Sequence, residues 1–288
     1  MFSKLVKSTA IEQIYLNDRL NGQGVNIIRL DQNDPFVCGN KWLKLSKNIN
    51  DQYPRYATFG GPHSNHLHAF SFACKQLNKQ HVVFVRGIGP KDTPTLLDIQ
   101  KNNGLIVRLS KNDYAKKHEE SMQQRWKNLY GDMHFIPEGG NNQNAIDACA
   151  NWYSSLNLPE NAIVGVSIGT GCTFKGIAQA LSHSHLLVGL PAFYMHDSMQ
   201  NELLDIDTNG QLQILNAQKQ ERFAKMDVTQ WNQMLEFEAH TQILLDPVYT
   251  GKTLFRFINH YQSNCDRPIY FIHTGGLQGR RAYQQQYS

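Results

Sequence analysis

Ala162-Ile163-Val164-Gly165-Val166-Ser167 runs into Ile168-Gly169-Thr170-Gly171-Cys172-Thr173 and then into Phe174 to Leu181. The first segment is short, apolar and rich in β-branched residues, as a buried strand is. The second is a glycine and threonine turn, and the third has helical spacing. A strand, a glycine turn and a helix form the repeating unit of an α/β fold with a largely parallel sheet. The same unit recurs on both sides. Tyr56–Phe59 runs into Gly60-Gly61-Pro62-His63-Ser64-Asn65-His66 and a helical run from Leu67 to Leu77. His81–Arg86 leads to Gly87-Ile88-Gly89-Pro90 and a helix from about Thr93 to Asn102. Gly104–Leu109 precedes a polar helix, and Met133–Pro137 precedes Glu138–Asn142 and a helix from Gln143 to Leu156. Leu186–Leu190 is a further strand, and Ile269–His273 ends in Thr274-Gly275-Gly276. Sheets of this kind bind ligands at the carboxyl ends of their strands, where these glycine turns fall.

Towards the N-terminus, residues 1 to 24 read as a leading segment with a turn at Asn21-Gly22-Gln23-Gly24. Val25 to Asp31 reads as a strand, Asp31 to Cys38 as a loop, and the sequence from Lys41 to about Asn50 as a helix. Lys41 therefore sits where a loop enters a helix. Unpaired N–H groups and partial positive charge gather there, and both disfavour an ammonium. The neutral amine is a nucleophile for carbonyls. Taken alone, Lys41 reads better as one solvated lysine among many, since local motifs are weak signals.

The composition narrows the function. The chain has 288 residues, 41% of them hydrophobic, enough for one large domain or two modest ones. Its net charge of +4 is spread without a basic tract, which argues against a nucleic-acid partner or a polybasic membrane patch. No apolar run is long enough to span a bilayer, and Met1-Phe2-Ser3-Lys4-Leu5 lacks the apolar core of a signal peptide. The five cysteines are isolated and form no C-x-x-C pair, which fits a reducing cytoplasm. No metal site is expected. His66 and His68 diverge on a helix, and no Cys or carboxylate cluster joins them.

Two loops invite a ligand. Gly169-Thr170-Gly171-Cys172-Thr173 offers backbone N–H groups, two hydroxyls and a helix N-terminus to a phosphate. It lacks the Gly-Lys-Ser/Thr ending of a Walker loop, and a plain tight turn reads equally well. Ser64 can cap the helix that follows it, or the same loop can hold a carboxylate. Asp246-Pro247-Val248-Tyr249-Thr250-Gly251-Lys252 forms a third loop before a helix from Leu254 to Tyr261.

Read together, these motifs resemble a known family. Gly39-Asn40-Lys41, Ser64-Asn65-His66, Thr170-Gly171-Cys172-Thr173, Asp246–Lys252 and His273-Thr274-Gly275-Gly276 occur in the order seen in the 1-aminocyclopropane-1-carboxylate deaminase and D-cysteine desulfhydrase family. The resemblance spans roughly residues 25 to 280. It implies a fold type II pyridoxal-phosphate enzyme: α/β, with two open twisted mostly parallel sheets flanked by helices. It implies a large cofactor-binding domain of residues 1–43 and 143–288, a small domain of residues 44–142, and a homodimer. The cofactor would be pyridoxal 5'-phosphate and the partner a small amino-acid substrate.

By the same resemblance Lys41 holds the cofactor covalently and Asn65 bonds its ring hydroxyl. Gly169, Thr170, Gly171, Cys172 and Thr173 cradle its phosphate, with Cys172 where a serine is common. Ser64, with Asn65 and His66, would meet the substrate. Tyr249 would be an active-site tyrosine, and Thr250 the partner of the pyridine nitrogen. Deaminases of the family carry a glutamate at that last position, and desulfhydrases a threonine. The resemblance thus favours α,β-elimination from an amino acid such as D-cysteine, giving pyruvate, ammonia and sulfide. Deamination of 1-aminocyclopropane-1-carboxylate and cofactor binding with little catalysis are the alternatives. The chain departs from the pattern in two places. A second tyrosine, usual in a loop before the Asp-Pro-Val-Tyr motif, gives way to Arg222-Phe223-Ala224-Lys225, and His63 stands where glutamine is usual.

Overall fold

In the computed structural model, residues 8–15, 24–89, 92–207, 209–261 and 265–287 are described. Most of the turn expected at 21–24 lies outside them, as does Pro90. Two sheets organise the chain. The larger has six strands in the order β1-β2-β10-β7-β8-β9. These are β1 Ile11–Ile14, β2 Val25–Ile28, β7 Ile163–Ile168, β8 Leu186–Pro191, β9 Leu212–Ile214 and β10 Ile269–Ile272. Every pairing in it is parallel except β1 with β2. The smaller sheet is wholly parallel, in the order β5-β4-β3-β6. It contains β3 Arg55–Gly60, β4 Gln80–Arg86, β5 Leu105–Leu109 and β6 His134–Phe135. The fold class expected from the sequence is the one found.

Period-two alternation explains how the large sheet is buried on both faces. Ile28 and Ile272 point into a core shared with Leu45, Tyr56, Phe70, Val164 and Phe174, which joins the two sheets. Their neighbours Ile27 and Phe271 point the other way, into a core with Phe257 and Leu254. The small sheet packs Phe59 and Phe84 against Trp126 on its outer face.

The helices are α1 Asn40–Ser46, α2 Asn65–Gln76, α3 Pro94–Lys101, α4 Lys111–Ala115, α5 Glu120–Tyr130, α6 Gln143–Ser154, α7 Cys172–Gln179, α8 Asp197–Leu204, α9 Val228–Thr241, α10 Thr250–His260 and α11 Arg280–Tyr287. Two local expectations are corrected. The first strand stops at Ile28 rather than Asp31, because the Arg29 guanidinium grips both Asp31 oxygens at 2.8 and 2.9 Å. That short-range pair bends the chain into a 3-10 turn over Leu30–Gln32. The polar helix after β5 is two helices, α4 and α5, with a separate start at each. Ser110 caps α4 by accepting from Asp113 N. Among the described residues, no helix is long and apolar enough to cross a membrane.

Candidate active site

The strand ends of both sheets face one cavity of about 570 Å³. Lys41 lies at its wall in the first turn of α1. The turn before it needs Gly39. Its φ is +70°, and a Cβ there would sit 1.9 Å from the Thr274 carbonyl oxygen. The close approach lets Asn40 N donate to Thr274 O at 3.2 Å, tying the α1 start to the loop after β10. The Asn40 side chain donates to Thr173 Oγ1 at 2.9 Å and accepts from Lys41 Nζ at 2.7 Å. One asparagine thus joins the lysine to the glycine–threonine loop.

Burial, and then the neighbouring charge of Lys44, lower the Lys41 pKa to about 7, with Asp246 opposing. A substantial share of the amine is therefore neutral near pH 7. Lys44 is itself buried, lines the same cavity, and reaches Cys172. Cys172 is the more acidic of a thiol pair. Its hydrogen bond with Cys149, and then the charges of Lys44 and Lys41, favour the thiolate, while Cys149 is pushed up. Among the described residues no carboxylate forms an ion pair with Lys41 or Lys44. Lys44 and the charged fraction of Lys41, beside a helix N-terminus, favour an anion.

The glycine–threonine turn after β7 lines the cavity. Gly171 takes φ +79° and leads directly into α7. Gly169 sits under the Tyr249 ring, where a Cβ would be 3.0 Å from Cε1. Thr170 and Thr173 face the same cavity.

The Ser64 loop does two jobs at once. Its Oγ accepts from His66 N at 3.2 Å and Leu67 N at 3.3 Å, capping α2. Its proton stays available to the cavity it lines. Asn65 Oδ1 accepts from Gln278 Nε2, which leaves the amide NH₂ as the donor end. His66 is 3% exposed, and its tautomer follows from Thr58. The Thr58 hydroxyl donates to Ile136 O at 2.8 Å, so it accepts from His66 Nε2 at 2.8 Å. His66 Nδ1 is then a bare acceptor, buried without a partner on a cavity-lining side chain. Burial, with Lys41 and Lys44 nearby, drops the ring's pKa to about 3, so it stays neutral. His68, two residues on, turns away to Asp98.

Tyr249 lines the cavity, and burial with nearby Asp246 pushes its phenol pKa up. Thr250 does not reach the cavity wall. It is fully buried at the start of α10, and its hydroxyl accepts from Asp246 N at 2.9 Å. The hydroxyl residue that lines the cavity nearby is Thr274. Asp246 is held behind the wall, bonded by Tyr249 N at 2.7 Å and Val248 N at 3.3 Å, with burial raising its pKa to about 6. The cavity therefore gathers Lys41, Ser64, Asn65, His66, Gly169–Thr173 and Tyr249, and leaves Thr250 beneath.

Sequence reasoning assigns Lys44 and Tyr283 no role, and Asn40 and Thr274 appear in it only as members of motifs, though all four line the cavity. Lys44 had a legible signal, since it lies three residues from Lys41 and so on the same helix face.

No family model matches the sequence. The chain is 28% identical to a mitochondrial bifunctional D-cysteine desulfhydrase/1-aminocyclopropane-1-carboxylate deaminase of Arabidopsis thaliana, over 96% of this chain and 78% of that one. By this comparison the chain is similar in sequence to that deaminase and desulfhydrase. In three dimensions it matches the crystal structure of an ACC deaminase homologue, with a TM-score of 0.81 and 21% identity over 98% of this chain and 93% of the other. Serine racemase of Dictyostelium discoideum shares the fold, with a TM-score of 0.70 and 13% identity over 96% and 94% of the two chains. The cavity suits a phosphorylated aldehyde: an amine that is part-neutral, a glycine cradle with a buried lysine, and an amide donor held in one orientation.

Proposed function

We propose that this protein is a pyridoxal-phosphate-dependent lyase of the D-cysteine desulfhydrase type, eliminating the β-substituent of a small amino acid to leave a 2-oxo acid and ammonia. The observation that carries the reading is Lys41. Its amine has a pKa near 7 and shares Asn40 with the anion cradle at Thr173.

Each residue has a role in this reading. The loop of Gly169, Thr170, Gly171, Cys172 and Thr173 holds the phosphate, and Lys44 neutralises it. Lys41 would anchor the cofactor, and its free Nζ would take the α-proton of the substrate. The neutral amine is the form that can do so, and its fraction rises as pH passes 7. Asn65 donates to the ring hydroxyl oxygen. Ser64 and the α2 N-terminus hold the substrate carboxylate, and His66 Nδ1 accepts from a donor on the ligand. Tyr249 closes the cavity over Gly169. The bound cofactor supplies an electron-withdrawing ring that makes the α-proton acidic enough to leave.

Preference for the desulfhydrase branch rests on an uncharged Thr250 where deaminases carry glutamate. Thr250, beneath the wall, is proposed as the partner of the pyridine nitrogen: its oxygen accepts from Asp246 N, which leaves its proton able to donate. The proposed division into 44–142 and the remainder is supported by sheet membership, since all four strands of the small sheet fall within 44–142. A cytoplasmic homodimer is proposed on the family resemblance.

The test is a panel of D- and L-amino acids with 1-aminocyclopropane-1-carboxylate, assayed for 2-oxo acid. Pyruvate and sulfide from D-cysteine are expected. Product from the cyclopropane alone would transfer the protein to the deaminase branch. A cofactor-loaded protein inert to the whole panel would leave only a binding role.

A further inference from the structure

The 222–225 turn replaces the tyrosine usual in this family with Phe223, and something else has to hold that turn in place. Phe223 lines the cavity while half exposed. Its ring stands edge-on to Tyr249 with centroids 5.9 Å apart, and edge-on to Phe193 at 5.7 Å. The next residue, Ala224, has φ +54°, a left-handed conformation that glycine adopts freely and alanine does not. The carbonyl of this strained residue accepts a hydrogen bond from the Tyr283 hydroxyl at 2.7 Å.

Tyr283 comes from the far end of the chain, on α11, and is well fixed. It is buried, and its ring lies nearly parallel to Trp231. One residue group anchors the base of α11: Arg280 bonds both Glu238 oxygens and donates to Leu245 O at 2.7 Å. A second contact ties α11 to α3, from Arg281 to Asp98 at 2.6 Å. Tyr283 and Ala282 line the same cavity as Phe223 and Tyr249. Because the Tyr283 proton is directed at Ala224 O, the phenol is arranged to hold a loop rather than to donate to substrate.

We propose that Tyr283 is a positioning residue for substrate, latching the 222–225 turn to α11 so that Phe223 closes the cavity beside Tyr249. This rests on the functional reading above, but the latch can be tested apart from it. Tyr283→Phe removes only the hydroxyl. The turn carries exposed Arg222 and Lys225, so its release is read by trypsin without any cofactor or substrate. In Tyr283→Phe, cleavage after Arg222 and Lys225 should accelerate about fivefold, the factor for losing one ordinary hydrogen bond. Adding Ala224→Gly relieves the strain directly, and the double variant should recover part of the protection. In the protein loaded with pyridoxal phosphate, Tyr283→Phe should raise the KM for D-cysteine several-fold with little change in kcat, and leave cofactor affinity as it was. Unchanged cleavage in Tyr283→Phe overturns the latch. A fall in kcat at constant KM also overturns it, since that would mean proton transfer by the phenol. If the protein fails to take up pyridoxal phosphate at all, the functional reading falls, and the trypsin result still decides the latch.

Discussion

Replacing Lys41 by methionine should change how stability depends on pH, by an amount that follows from the site. In the unfolded chain the amine titrates near 10.5, and in the folded protein near 7. Between those values the unfolded chain holds a proton that the folded protein has released, so stability climbs with pH across the window. The destabilisation is full below pH 7 and gone above about pH 10.5, an upper bound of about 5 kcal/mol. From pH 7 to pH 9 the change works out at about 2 kcal/mol. Methionine has nearly the same length and no charge, so that component is absent from Lys41→Met. The assay is urea unfolding of cofactor-free wild type and variant, both stripped with hydroxylamine, at half-unit steps from pH 7 to pH 9. The buried tyrosines titrate in both proteins and largely cancel in the difference, and Cys172→Ser in both backgrounds removes the thiol that Lys41 influences. The unfolding free energy of wild type relative to the variant should rise by about 2 kcal/mol over this range. A flat difference would refute the argument, because it would mean that Lys41 titrates as an ordinary exposed lysine.

Three further outcomes follow from named contacts. Gly39→Ala forces a Cβ to within 1.9 Å of Thr274 O at a positive φ, and should lower stability by roughly 2–4 kcal/mol in a thermal melt. Lys44→Met leaves the anion cradle with one cation fewer and should weaken pyridoxal-phosphate binding by about tenfold or more in an absorbance titration, whereas unchanged affinity removes Lys44 from the phosphate site. Arg280→Met strands the buried Glu238 carboxylate and should cost about 3–5 kcal/mol in chemical unfolding, with much of the loss recovered when Glu238→Gln is added.

The parts of this protein that were legible in its sequence share a physical cause. Parallel strands buried on both faces must be continuously apolar, and the turns at their ligand-facing ends need glycine, so Ala162–Thr173 and Tyr56–His66 announce themselves. Ser64, Asn65 and the Gly169–Thr173 loop could be placed because each follows such a strand directly. Thr250 follows no such strand; it starts α10 fully buried, its oxygen accepting from a backbone N–H four residues earlier, at Asp246. The break after Ile28 depended on a pair two residues apart, Arg29 and Asp31, which no periodicity encodes. The segment from 192 to 245 carries α8, β9 and α9 with few glycine landmarks, and no elements were assigned there from the sequence. Tyr283 was out of reach for another reason. Its partner Ala224 lies 59 residues away, and only the folded chain brings them together.

The central claim is that Lys41 carries the cofactor. The most direct measurement is to add pyridoxal phosphate, reduce with borohydride, digest, and locate the modified lysine by mass spectrometry. A visible absorbance band should form before reduction and be lost in Lys41→Ala, and the stable adduct should sit on Lys41. A colourless protein, or an adduct on another lysine with Lys41 unmodified, would contradict the account.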